Sequence, residues 1–232
     1  LSSEEYGQYN VFNSWMGIIS IIVTLNLYVG VYQRGLVLFE KQRNVFSSSL
    51  QGLTLTLCGI WTVVYLLFHN TLNQIFSFTT IQMLIMFVII WTSAVFGFWS
   101  AEQRVIYRYS SLIIITIVAT ISKSVVSIIL VINSEDKVTA RILGTALVNF
   151  LAYIGLFIYQ MKNGGKFYSK EFWHHALKFN IPLVPHYLSQ TVLNNSDRIM
   201  IQHIVNSGSA GIYGLAYSLS QIMMMFNTAL VY

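Results

Sequence analysis

The chain has 232 residues, of which 55% are hydrophobic and only 9% charged, with a formal net charge of +5. Soluble domains carry about 25% charged residues, so this composition excludes a water-soluble fold and leaves most of the surface to face lipid. A single cysteine, Cys58, excludes an internal disulfide framework.

A helical span needs roughly 20 mostly apolar residues. Seven segments meet that expectation: 10–32, 48–68, 79–100, 109–132, 140–161, 180–205 and 211–232. Strand alternation is absent, and backbone groups in lipid must be satisfied within their own segment, so the spans are helices. Alternate connections hold Arg34, Lys41, Arg43, Arg104, Arg108, Lys162, Lys166, Lys170 and Lys178. The opposite set holds only Lys137 and Arg141, with Glu4, Glu5, Glu135 and Asp136. The positive-inside rule places the first set in the cytoplasm. The longest inner connection, "QMKNGGKFYSKEFWHHALKFNIP", breaks at Gly164-Gly165 and continues as an amphipathic segment anchored by Phe167, Tyr168, Phe172 and Trp173.

Residues 3–28 and 207–232 align without gaps. Ser3, Gly7, Tyr9, Ser14, Ile18, Thr24 and Tyr28 match Ser207, Gly211, Tyr213, Ser218, Ile222, Thr228 and Tyr232. Six spans separate the copies, an even number, so both copies run the same way through the membrane. That is a parallel repeat of six helices. The chain does not start with Met and ends in an apolar run. It is expected to be part of a two-bundle transporter of twelve to fourteen helices. Residues 1–161 would form a first bundle lacking its first helix, 162–179 a linker, and 180–232 the truncated start of a second bundle.

Two spans carry polar stripes. In the sixth, His186, Tyr187, Gln190, Asn194, Asp197, Arg198 and Gln202 recur at helical spacing on one side. Pro182 and Pro185 predict a kinked or broken start. The plain alternative for Asp197 and Arg198 is a self-neutralising ion pair. A water-filled cavity accounts better for the whole stripe, because charges inside spans usually face a pathway. In the first span, Asn10, Asn13, Ser14, Gly17, Ser20, Thr24 and Tyr28 form a milder stripe that could equally be helix-packing glue. Lys123 lies near the middle of the fourth span and is a second candidate for a pathway. The Met223–Met225 run reads as adaptable packing. No nucleophile, base and orienting group come together, so a non-enzyme is expected.

"EEYGQYNVFNSWMGIISI", "RNVFSSSLQGL", "RILG" and above all "IPLVPHYLSQTVLNNSDRIMIQHIVNSGSAGIYGLAYSL" resemble bacterial polysaccharide biosynthesis proteins of the Wzx-type flippase family. That family belongs to the superfamily of multidrug exporters and the lipid II flippase. The resemblance implies alternating access in the bacterial inner membrane and a substrate of oligosaccharide on undecaprenyl diphosphate. Arg198 and then Lys123 would meet the diphosphate, since Arg offers a planar fork for phosphate oxygens. Asp197 would position Arg198 or carry a coupling proton or sodium ion. Asn194, Gln190, His186, Tyr187, Asn13 and Ser14 would bond sugar hydroxyls. No other cofactor and no nucleic acid are expected. The expected partners are the lipid-linked oligosaccharide, membrane lipids, a polysaccharide polymerase and assembly proteins. A multidrug or small-cation exporter would favour acids in its cavity, and Asp197 reads as the only intramembrane acid against two bases. A membrane polymerase would need long outer loops bearing Arg, His or Asp, and these loops are short. A non-transporting scaffold would need neither the stripes nor the repeat.

Overall fold

The computed structural model describes residues 1–231, with side chains through Met223. The repeat positions Thr228 and Tyr232 and most of the Met223–Met225 run therefore lie outside the described side chains. The described residues form ten α-helices in order: α1 Ser3–Thr24, α2 Val31–Leu38, α3 Arg43–Leu67, α4 His69–Phe76, α5 Thr80–Val105, α6 Tyr109–Ile132, α7 Lys137–Gly164, α8 Lys170–Asn180, α9 Val184–Ile204 and α10 Ser207–Val231. Among the described residues there is no strand.

The protein is an all-helical membrane protein. Among the described residues, four helical stretches are long and apolar enough to cross a bilayer: Glu40–Leu67, Thr80–Val105, Tyr109–Ile132 and Lys137–Gly164. The outward face of α6 bears Ile114, Ile117, Ile121 and Ile128, all more than half exposed. A stripe of that kind belongs in lipid rather than water. α1 and α9, at 22 and 21 residues, are slightly shorter and carry the polar stripes.

Ends are set by local chemistry. Ser2 with Glu5, and Thr79 with Gln82, form capping boxes that open α1 and α5. The Ser2 backbone N–H holds the Glu5 carboxyl below its ordinary range, with a further contribution from the Lys137 charge. Gly165 closes α7 in the left-handed conformation, donating its N–H to Met161. The two prolines mark the broken start expected for the sixth span. They sit where a 3-10 turn, Ile181–Leu183, hands over to α9, and Pro185 fills its first turn.

The first predicted span needs correcting. It is not one helix from 10 to 32. α1 stops at Thr24, Leu25 and Asn26 turn left-handed (φ 50° and 52°), and α2 begins only at Val31. The Asn180 amide at the end of α8 donates to both the Leu25 and Asn26 carbonyls at this break (2.8 and 3.1 Å). The predicted outer loop 69–80 also contains a short helix, α4.

Two apolar clusters hold the bundle. One joins α1, α3, α5 and α7 through Phe12, Tyr65, Met83, Met86 and Ile142. The other joins α2, α3, α5 and α8 through Tyr32, Leu36, Phe46, Phe98 and Phe172. Phe46 is fully buried, stacked on Tyr32 at 5.8 Å and edge-on to Phe172 at 5.3 Å. Phe46→Ala should destabilise by about 3–5 kcal/mol through the cavity it leaves, read as a lowered unfolding temperature of the purified protein.

Candidate functional site: cations on aromatic faces

α1 runs between two groups of polar residues. On one side it meets α7, and α7 carries α6. A cavity of about 660 Å³ lies there, lined by Tyr9, Thr120, Lys123, Ser127, Arg141 and Thr145 among others. This is the size of a small-ligand pocket. α6 can approach α7 because Gly144 has no side chain: a Cβ there would come within 2.8 Å of the Ser127 Cα. Lys123, fifteenth residue of α6, sits about 14 Å from the helix end at Ile132 by helical rise. Its ammonium lies 6.0 Å from the centre of the Tyr153 ring.

Arg141 is a residue the sequence reading counted with the charges of the outer connection. It lies in the first turns of α7, and its guanidinium stands 3.9 Å from the Tyr9 ring centre and 5.4 Å from that of Tyr6. The cavity thus brings together two cations and four serine and threonine hydroxyls, those of Thr120, Ser124, Ser127 and Thr145, with an aromatic wall from α1.

On its other side α1 meets α9 and α10. Asp197 and Arg198 do not pair with each other. Asp197 accepts from the Tyr213 hydroxyl at 2.8 Å, and Arg198 lies 4.2 Å over the Tyr217 ring with a long contact to Asn195 Oδ1 at 3.4 Å. The self-neutralising alternative is therefore set aside. Among the described residues the salt bridges are Arg43 with Glu40 and Lys137 with Glu5, both outside the cavity. Arg34, Lys123, Arg141 and Arg198 each lie over an aromatic ring, a contact worth about 0.5–2 kcal/mol that leaves the positive charge uncancelled.

The α9 residues that face Gly17 of α1 are Thr191 and Asn195, which the predicted stripe did not include; of its members, His186, Gln190, Asn194 and Asp197 are exposed and Tyr187, Arg198 and Gln202 half-buried. No α9 residue lines the Lys123 cavity. The α1 stripe behaves largely as helix packing. Ser14 is buried and donates to the Asn10 carbonyl, Ser20 to that of Gly17 and Thr24 to that of Ser20. Asn13 remains half-buried, next to the seam.

The repeat reappears as geometry. A Cβ at Gly7 would overlap the Ser207 carbonyl, and a Cβ at Gly211 would overlap the Ser3 carbonyl. These are matched positions of the two copies, so the contact is reciprocal, as at a two-fold interface. Asn10 packs on its own counterpart, Gly214. α1 and α10 therefore lie parallel.

One expectation is corrected by α5. Asp197 is not the only acid within the helical bundle, because Glu102 turns inward to meet the buried Gln160 at 2.6 Å.

No match was found among curated proteins or among solved structures. The chain does match a protein family from residue 1 to residue 231, nearly its whole length, and it belongs to the polysaccharide biosynthesis protein family.

Proposed function

We propose that the chain is part of a flippase that carries oligosaccharide linked to undecaprenyl diphosphate across the bacterial inner membrane by alternating access. The observation that carries this reading is the set of cations resting on aromatic faces, two of which share one cavity. A carboxylate partner would cancel such a charge. An aromatic ring desolvates it and leaves it open to an anion. Hydroxyls beside the cations and exposed tyrosines suit a ligand that is anionic at one end and a sugar at the other. The reciprocal α1–α10 contact supports a carrier built of two like halves.

The test deletes the gene encoding this chain and complements it with wild type or Arg198→Ala. Surface polysaccharide should vanish on deletion while lipid-linked oligosaccharide accumulates in the inner membrane, and Arg198→Ala should restore neither. Unchanged surface polysaccharide after deletion would overturn the flippase reading. Drug sensitivity in its place would favour a multidrug exporter.

A further inference from the structure

The cavity and the α9 seam leave one titratable group without a role. Glu102 lies near the end of α5 and is half-buried, and among the described residues it has no ion-pair partner. Instead it ends a chain of amides. Gln51 of α3 donates from Nε2 to Gln160 Oε1 of α7 at 2.6 Å, and Gln160 donates from Nε2 to Glu102 Oε2 at 2.6 Å. Gln51 is fully buried and Gln160 is 2% exposed.

This order fixes both amides. Gln51 Nε2 also reaches the Val95 carbonyl, at 3.5 Å, so its oxygen must point elsewhere. That oxygen, Gln51 Oε1, is buried and has no donor. The chain as it stands is polarised toward an ionised carboxylate and leaves one acceptor unsatisfied at its far end, which is unfavourable in a buried site.

We propose that Glu102 is a proton-loading site whose protonation state is relayed through Gln160 and Gln51 to the packing of α5, α7 and α3. When the carboxylate takes up one proton, its O–H becomes a donor to Gln160 Oε1. Gln160 Nε2 then turns to Gln51 Oε1, which gains the donor it lacks. Gln51 must turn over to offer that oxygen, so its Nε2 gives up both the 2.6 Å bond to Gln160 Oε1 and the long contact to the Val95 carbonyl. The described titratable groups that act on Glu102 are Arg43 at the start of α3, Arg108 in the turn before α6, and Tyr32 of α2, whose hydroxyl bonds Ser47 at 2.7 Å. α7 brings the neutral Gln160. The Gln160 N–H and the two arginines favour the ionised form and burial opposes it, so the site is poised between states. For the proposed carrier this would supply the coupling ion, and only that last step rests on the flippase reading.

The experiment needs no substrate, so its failure is separate from a failure of that reading. Infrared difference spectra of the purified full-length protein between pH 5 and 9 would follow the C=O stretch of a protonated carboxyl. Wild type should show a titrating band that near-isosteric Glu102→Gln lacks. Gln160→Met removes a hydrogen bond from the carboxylate and should raise proton affinity about tenfold, moving the midpoint to higher pH. Identical bands in wild type and Glu102→Gln, or a midpoint unmoved by Gln160→Met in a protein of wild-type helicity, would overturn the proposal. A band that responds to sodium but not to pH would overturn it too, in favour of a cation site.

Discussion

Gly7→Leu should lower the unfolding temperature and abolish complementation of surface polysaccharide, and Gly211→Leu should do the same. Both follow from one geometry. At each position the added Cβ meets a backbone carbonyl, Ser207 for Gly7 and Ser3 for Gly211. Backbone cannot swing aside like a side-chain tip, so the two helices must separate. Overpacking of this kind costs about 1–3 kcal/mol at each site. Because the positions are reciprocal, the double variant should cost less than the sum of the singles, since the first separation relieves the second clash. Gly59→Leu and Gly155→Leu are the controls, since a Cβ at either meets nothing within 4 Å. A Gly7→Leu protein as stable and active as the Gly59→Leu control would show that α1 and α10 do not close on each other there.

Arg141→Ala is expected to reduce export of lipid-linked oligosaccharide at least tenfold, and Lys123→Ala comparably. A hydrogen bond to a charged group is worth about 1.5–3 kcal/mol, and both cations line the same cavity. Arg141→Lys should recover little, because an ammonium offers neither the planar fork nor the flat face that lies 3.9 Å over Tyr9. Lys41→Ala, exposed in the turn before α3, removes the same charge elsewhere and should be silent. Accumulated lipid-linked oligosaccharide in the inner membrane is the readout. Wild-type levels in Arg141→Ala would remove the cavity from the pathway.

The sequence read best where apolar runs meet abrupt polar ends. α6 spans Tyr109–Ile132 as expected, because Arg108 and Asn133 bound a strongly apolar stretch whose single charge is Lys123. It read poorly where hydropathy stays high across a change of backbone. Leu25–Gly30 is apolar enough to bridge α1 and α2, and only Asn26 and Gly30 hint at the left-handed turn there. Arg141 opens the predicted span 140–161 and was counted with the charges of the outer connection. Nothing local says that Tyr9, more than a hundred positions earlier, will cover it. Glu102 was passed over for a similar reason, as it stands beside Gln103 and Arg104 at a span end. Its partner Gln160 lies 58 residues away. The repeat, by contrast, was legible from identities alone, and Gly7 and Gly211 each meet a residue of the other's helix, Ser207 and Ser3, because matched residues of parallel copies face a common axis.

The aromatic rests beneath Arg198, Arg141 and Lys123 bear on how fast such a site can empty. A receptor gains by holding its ligand long, whereas a carrier must let go on every cycle. Were each cation locked to a carboxylate, an arriving anion would first have to displace that counter-charge, and its departure would have to await the counter-charge's return. A tyrosine face neither leaves nor returns. It shields the cation when the site is vacant and stays in place when it is filled, so loading and unloading face similar barriers. Turnover would then be governed by the swing of the helices rather than by the rupture of ion pairs.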